Sequence, residues 1–177
     1  SPHAVRLRRR PPPEAPVPAG DLRDAQRLDA ALGHAYRYLS RRDRTVAEVE
    51  QRLADRDTDP ATIAAAVAEL RELGYLDDAR YAQRFTEDRR HLDGWGDERI
   101  ERRLREVGVP RPLIAAALAA RDPDGPTAVE TAAALVRRRF PEPPETPRDR
   151  QRAIGMLARR GYSSEEAHDA LRALARG

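Results

Sequence analysis

The residues closest to a catalytic or metal-binding pattern are Glu165 and His168, three positions apart near the end of the chain. A Glu-x-x-His pair on a helix is how di-metal carboxylate bundles hold their ions, but such a site needs a second pair and two more glutamates. The chain has no second Glu-x-x-His. Glu166 also forms a capping pattern with Ser163. We therefore interpret this segment as a structural helix start.

The other candidates for chemistry are equally isolated. His3, His34 and His91 have no metal-ligand spacing to one another, and the chain has no cysteine to complete a site. No serine lies in a nucleophile elbow, and no glycine-rich phosphate loop occurs. The sequence therefore predicts a protein that is not an enzyme and needs no cofactor or metal.

The composition favours long amphipathic helices over a thick sheet core. Hydrophobic residues make up 40% of the 177 residues, aromatic residues only 5%, and charged residues 36%. All 33 basic residues are arginine. The lack of cysteine excludes disulfides and fits a cytoplasmic location, and no apolar run is long enough to predict a membrane span.

Charge is distributed unevenly along the chain. Residues 1–28 and 126–177 each carry a net charge of +3, whereas 29–76 carry −2 and 77–125 carry −1. Basic ends with a balanced middle are a weak electrostatic footprint for binding nucleic acid alone.

The elements that must position any site come from an internal repeat. Leu53, Leu104 and Leu157 are 51 and 53 residues apart, and each begins a similar stretch. Four residues after each leucine is a residue that tolerates left-handed backbone: Asp57, Gly108 and Gly161. A repeat near 50 residues predicts stacked copies of one small helical unit. We therefore expect an all-α, elongated, curved array of three tandem three-helix repeats.

Local signals place the helix starts. Thr45 with Glu48 forms a capping box, Asp59-Pro60 opens the next helix, and Asp77 is a cap for the one after. On that helix, Tyr81, Phe85 and Leu92 are candidates for the buried face.

The predicted domains follow from these signals. Residues 1–28 are expected to be a disordered, basic, proline-rich arm, although the first helix opens somewhere between Asp21 and Asp29. Residues 29–76, 77–125 and 126–177 are expected to be the three repeats.

Arginine clusters recur at the ends of the first helices and on the second helices of the repeats. They are the candidate binding residues: Arg89, Arg90, Arg99, Arg102, Arg103, Arg105, Arg137, Arg138, Arg139, Arg159 and Arg160. Glutamate and aspartate are interleaved with them, so salt-bridged helix faces are one interpretation. A discontinuous basic lining that grips phosphates or carboxylates is the other.

A helix-turn-helix DNA-binding protein without a protein partner is an alternative function. The second and third helices of each repeat have this appearance, with a glycine in the turn at Gly108 and Gly161. However, the third helices of the first two repeats begin with alanine-rich segments in which Arg111 is the one arginine. Base recognition usually requires Arg, Asn or Gln at that point.

The central block GYLDDARYAQRFTEDRRHLDGWGDERIERRLREVGV resembles the RecX family of recombinase regulators. The residues that carry this resemblance are Gly74, Asp77, Asp78, Arg80, Ala82, Phe85, Arg89, Gly96, Ile100, Leu104 and Gly108. The resemblance extends over residues 29–177, and the third repeat matches mainly by register and length.

The resemblance implies a regulator that binds RecA recombinase and its filament on single-stranded DNA. It implies that the protein mostly inhibits ATP hydrolysis and strand exchange in recombination, DNA repair and the SOS response. We also expect weak direct DNA binding, a monomeric state and no association with membranes.

Overall fold

The computed structural model describes residues 19–176, which form nine α-helices and no strand within that range. The helices fall into three groups of three, here called modules 1, 2 and 3. The all-α class and the three tandem three-helix modules are therefore confirmed.

Module 1 consists of α1 (Ala19–Leu39), α2 (Val46–Ala54) and α3 (Pro60–Glu72), and all three pairs of helices are in contact. Its core contains Ala35, Val49, Leu53 and Leu70, each with no exposed surface. Leu53, the first repeat leucine, is thus a core residue as its spacing predicted.

Module 2 consists of α4 (Asp78–Asp93), α5 (Asp97–Glu106) and α6 (Arg111–Ala119). Ile100 and Leu104 of α5 are fully buried against Ala82 of α4 and Ile114 of α6. Its core is a separate cluster from that of module 1.

Module 3 consists of α7 (Ala128–Arg139), α8 (Pro147–Arg159) and α9 (Ser164–Arg176), with α9 packed on both other helices. Leu157 is fully buried with Val136 and Leu171. Each repeat leucine therefore anchors the core of its own module.

Side-chain caps fix most of the helix starts. Both bonds of the capping box at Thr45 are present, and the same reciprocal bonds join Ser163 with Glu166. Asp59 and Asp77 cap α3 and α4. These helix starts were readable in the sequence because a cap involves residues only three positions apart.

Two expectations differ from the structure. Leu92 is 78% exposed, because it lies in the last turn of α4 on the side facing solvent. Helix α1 begins at Ala19, so residues 19–28 of the expected arm are helical. This stretch follows the last proline of the arm and carries Asp21 in its first turn, which favours a helix start. Residues 1–18 of the arm lie outside the described residues.

Candidate partner-binding surface

The joint between modules 2 and 3 is built from backbone groups. The Gly96 N–H donates to the carbonyl of Arg160 at 2.8 Å, and the Glu98 N–H donates to the carbonyl of Gly161 at 3.1 Å. The first N–H groups of a helix have no partner inside the helix. Here the start of α5 is satisfied by the end of α8, so the two modules are held in a defined orientation.

This joint requires glycine on both sides. A Cβ placed on Gly161 would lie 2.3 Å from the Cβ of Arg99, and one on Gly96 would lie 2.3 Å from the Gly161 carbonyl oxygen. Gly161 also has a φ of +90°, in the left-handed region. The repeat glycine thus serves contact between modules as well as the turn.

The joint between modules 1 and 2 uses side chains for the same purpose. The buried Thr45 hydroxyl donates to the Val107 carbonyl at 2.6 Å while accepting from the Glu48 N–H at 3.2 Å. Asp78 accepts from the Val46 N–H at 2.9 Å. Partial burial raises the pKa of the Asp78 carboxyl, and this bond partly offsets that effect.

These two joints place three helices head to tail. The start of α2 lies on the end of α5, and the start of α5 lies on the end of α8. We call α2, α5 and α8 the spine. At each joint the positive end of one helix dipole meets the negative end of the next. Side chains on the spine are therefore presented from a fixed scaffold.

Two candidate arginines of α4 are bound within the fold. The Arg90 side chain is 15% exposed, pairs with Asp97 at 3.0 Å, and donates to the carbonyls of Leu118 and Ala120. Arg89 pairs with Asp93, and its guanidinium lies 5.2 Å from the Phe85 ring centre. The contacts of Arg90 hold α4 against α5 and α6, whereas those of Arg89 lie within α4, so neither guanidinium projects freely.

Two more candidates belong to the joint between modules 2 and 3. The Arg160 guanidinium donates to the Asp93 carbonyl at 3.0 Å. The Arg99 guanidinium lies 3.9 Å from the centre of the Trp95 ring. A cation stacked on tryptophan is partly neutralised by the ring face. Arg99 also lies directly against Gly161 of module 3, so both arginines are part of the joint.

The three remaining arginines of α5 lie on the exposed face of the spine. Arg102, Arg103 and Arg105 are all exposed. Arg103 pairs with Glu106 at 3.0 Å and Arg105 with Glu101 at 3.7 Å, with about half of each arginine side chain exposed. Exposed pairs of this kind contribute little stability, so these arginines can exchange their partners for another anion.

Module 3 has the most accessible candidates. Arg137, Arg138, Arg139 and Arg159 are exposed, and none has a carboxylate within 4.0 Å among the described residues. Arg139 lies 5.9 Å from the Phe140 ring centre. The structure thus divides the candidate arginines into seven exposed side chains and four that support packing.

A basic cluster on module 1 was missed by the sequence analysis. A terminal nitrogen of Arg37 lies 2.8 Å from His34 Nδ1. Partial burial lowers the pKa of the His34 imidazole, and the charges of Arg56, Arg37 and Arg52 lower it further. The available signal was Arg52, which precedes Leu53 just as Arg103 precedes Leu104.

A cavity of about 580 Å³ lies between modules 2 and 3. Its polar wall is occupied by internal bonds: Asp97 binds Arg90 and Arg121, and Tyr162 donates to the Gly94 carbonyl at 3.0 Å. Burial raises the pKa of Tyr162 to about 12. The phenol is therefore a neutral hydrogen-bond donor at physiological pH.

The residues singled out for metal chemistry have local roles. His168 Nδ1 lies 2.6 Å from the Ser164 carbonyl oxygen, and Glu166 caps α9. Within residues 19–176, no three or more His, Asp or Glu side chains are grouped to hold a metal ion. Across the same residues, no helix has the length and apolar character needed to span a membrane.

Family models match each module in turn. The matches are to "RecX, first three-helix domain" over residues 31–70, "RecX, second three-helix domain" over 77–118, and "RecX, third three-helix domain" over 127–171. Together they span most of the chain and follow the three modules.

Curated relatives are similar over most of their length. Regulatory protein RecX of Leptothrix cholodnii is 35% identical over 140 residues, which cover 79% of this chain and 86% of the relative. Regulatory protein RecX of Deinococcus radiodurans is 34% identical over 153 residues, covering 86% and 72%.

Two solved structures share the fold. RecX from Lactobacillus salivarius superposes with a TM-score of 0.75 at 21% identity, covering 86% of this chain and 99% of the other. A second crystal structure, of a regulatory protein RecX, gives a TM-score of 0.70 at 24% identity, covering 85% and 74%.

Proposed function

The chain belongs to the RecX family, and from that membership we propose that it binds RecA recombinase and RecA filaments on single-stranded DNA. In this proposal it mostly inhibits ATP hydrolysis and strand exchange, and acts in the cytoplasm during recombination, DNA repair and the SOS response. The family is one of regulatory proteins, so the chain is a regulator and not an enzyme.

The observation that carries this proposal is the exposed arginine face of α5 on the central helix of the spine. Arg102, Arg103 and Arg105 are exposed there, and joints on both sides fix the helix that carries them. A rigid row of modules suits a long, repetitive target such as a filament better than a small substrate.

The alternative of an independent helix-turn-helix protein has less support. The exposed residues that open α6 are Arg111 and Pro112, followed by alanines at 115 and 116. Such a surface offers few hydrogen bonds to base edges. The start of α6 therefore gives little support for recognition of a DNA sequence by this chain.

The test is the DNA-dependent ATPase activity of RecA in the presence of the purified protein. We expect the ATPase rate to fall as the protein is added, and the protein to sediment with RecA filaments. An unchanged rate at excess protein, together with no co-sedimentation, would reject the proposal.

A further inference from the structure

Module 3 has two separate attachments to module 2. The first is the joint, in which the turn after α8 binds the turn after α4. The second is the connection between α6 and α7, residues 120–127, which we call the linker. The buried residues of the two modules form separate clusters within the described structure. The position of module 3 therefore depends on these two attachments and not on a shared core.

The start of the linker is held by ionic contacts. Arg121 donates to Asp97 Oδ2 at 2.6 Å. Arg90 donates to Asp97 Oδ1 at 3.0 Å, and to the carbonyls of Leu118 and Ala120 at 2.7 and 2.9 Å. Together these bonds tie the end of α6 and the start of the linker to the first turn of α5.

Asp97 connects the two attachments. It directly follows Gly96, whose N–H binds the Arg160 carbonyl of module 3, while its side chain holds the linker through Arg121. It lies in the first turn of α5, where the positive end of the helix dipole also favours a negative charge. One carboxylate thus serves two guanidinium groups. Its loss would leave both guanidinium groups without a carboxylate and repelling each other.

The space between the two attachments is open. The cavity of about 580 Å³ is lined by residues at the joint, including Trp95 and Tyr162, and by residues of the linker, including Arg121 and Pro126. Close-packed interiors resist displacement because their side chains interdigitate, and a cavity offers no such resistance. If the linker is released, module 3 can therefore turn about the joint.

We propose that Asp97 is a positioning residue: by holding the linker through Arg121, it fixes the orientation of module 3 relative to module 2. A body attached at one place can rotate there, whereas a second attachment removes that freedom. This role of Asp97 does not depend on the partner, whereas its effect on RecA inhibition rests on the proposed function.

The experiment measures the distance between modules 2 and 3 with two nitroxide spin labels. The chain has no cysteine, so Ala115→Cys on α6 and Ala173→Cys on α9 supply label sites at exposed positions. Double electron–electron resonance should give one narrow distance distribution for the labelled protein without further changes. Asp97→Asn should broaden or shift this distribution, because the neutral amide cannot form the ion pair with Arg121.

Arg121→Gln isolates the bond to the linker, since Arg90 keeps Asp97 as its partner. It should reproduce the change in distance. Combining it with Asp97→Asn should add little, because both substitutions release the same attachment. Each variant should also require about threefold or more protein to inhibit the RecA ATPase, because the arginines of module 3 are displaced relative to α5.

The matched control is Asp93→Asn. Asp93 pairs with Arg89 inside α4, so this substitution also removes a paired carboxylate close to the joint. The Asp93 carbonyl, which accepts from Arg160, is unchanged. The control should keep the native distance distribution, and circular dichroism should show the variants folded. If Asp97→Asn does not fold, Arg121→Gln alone decides the outcome.

A native distance distribution in both Asp97→Asn and Arg121→Gln would overturn the proposal, even if both variants were less stable. The ionic contacts would then stabilise the fold without positioning module 3. An equal change in the control would also overturn it, since loss of any nearby carboxylate would then be sufficient. Changed distances confined to the two variants support the proposal whether or not the native protein inhibits RecA, so a failure of the proposed function remains distinguishable.

Discussion

At the scale of single residues, two buried threonines differ in their hydrogen bonds. Thr45 is fully buried, and its hydroxyl both donates and accepts. Thr86 is 1% exposed on α4, and its hydroxyl has no partner within the described structure. A buried hydroxyl without a partner costs free energy, whereas one that joins two backbone groups stabilises the fold.

The same substitution should therefore have opposite effects at the two positions. We expect Thr45→Val to lower the free energy of unfolding by about 1–3 kcal/mol, because a cap and a bond between modules are lost together. We expect Thr86→Val to raise it by about 1 kcal/mol. Urea denaturation of both variants measures the difference, and equal losses at both positions would contradict this account.

Two leucines give a second contrast between buried and exposed positions. Leu104→Ala should lower the free energy of unfolding by about 2–5 kcal/mol, because Leu104 has no exposed surface in the core of module 2. Leu92→Ala is the control and should change it by less than about 0.5 kcal/mol, since Leu92 is exposed. Thermal or urea unfolding measures both values, and a small loss at Leu104 would mean that this core is loosely packed.

At the scale of the elements, the turn after the second helix of each module has two roles. Asp57, Gly108 and Gly161 all adopt positive φ. At positions 108 and 161 the glycine also lies against the helix start of the preceding module. Asp57 is exposed and ends the row at module 1. A residue with a side chain is therefore tolerated at this position only in module 1, which has no module before it among the described residues.

Alanine at Gly161 should disrupt the joint. The left-handed backbone alone costs about 1–2 kcal/mol for alanine, and displacement of the Arg99 backbone should add about 1–3 kcal/mol. Gly74→Ala is the control, because Gly74 has φ +78° but open space around its Cβ position. We expect the loss of unfolding free energy to be larger at Gly161, and equal losses would show that the close approach carries no energy.

Particular residues show why the sequence predicted the elements better than the surface. Thr45 and Glu48 predict a helix start because the hydrogen bonds between them join residues three positions apart. The joint between Gly96 and Arg160 joins positions 64 residues apart, and no local pattern encodes it. Arg90 was wrongly expected to be free for binding because its contacts are also non-local. Its hydrogen bonds to Leu118 and Ala120 form only when α6 packs against α4.

At the scale of the whole molecule, the head-to-tail spine determines which surfaces act together. Module 2 is joined to both of its neighbours, so arginines on α5 and on module 3 keep a constant separation. A partner with regularly spaced acidic groups can then engage several of them at once, which strengthens binding without any single strong contact.

Charge reversal at Arg102, Arg103 and Arg105 together tests this arrangement. We expect the protein concentration needed to inhibit the RecA ATPase to rise about tenfold or more, with helicity unchanged, because exposed charges at an interface steer and hold the partner. Reversal at Arg23, Arg27 and Arg41 is the control and should raise it much less. Inhibition that survives the first change in a folded protein would remove this face from the binding surface.

The one tryptophan of the chain lies at the joint between modules 2 and 3. Trp95 is covered by Arg99, whose Cβ and backbone lie where a side chain on Gly161 would have to fit. Any opening of that joint must change the surroundings of the indole. Trp95 is thus an intrinsic fluorescent reporter of this joint. Its emission spectrum can show, without an attached dye, whether module 3 remains packed against module 2 when a partner is added.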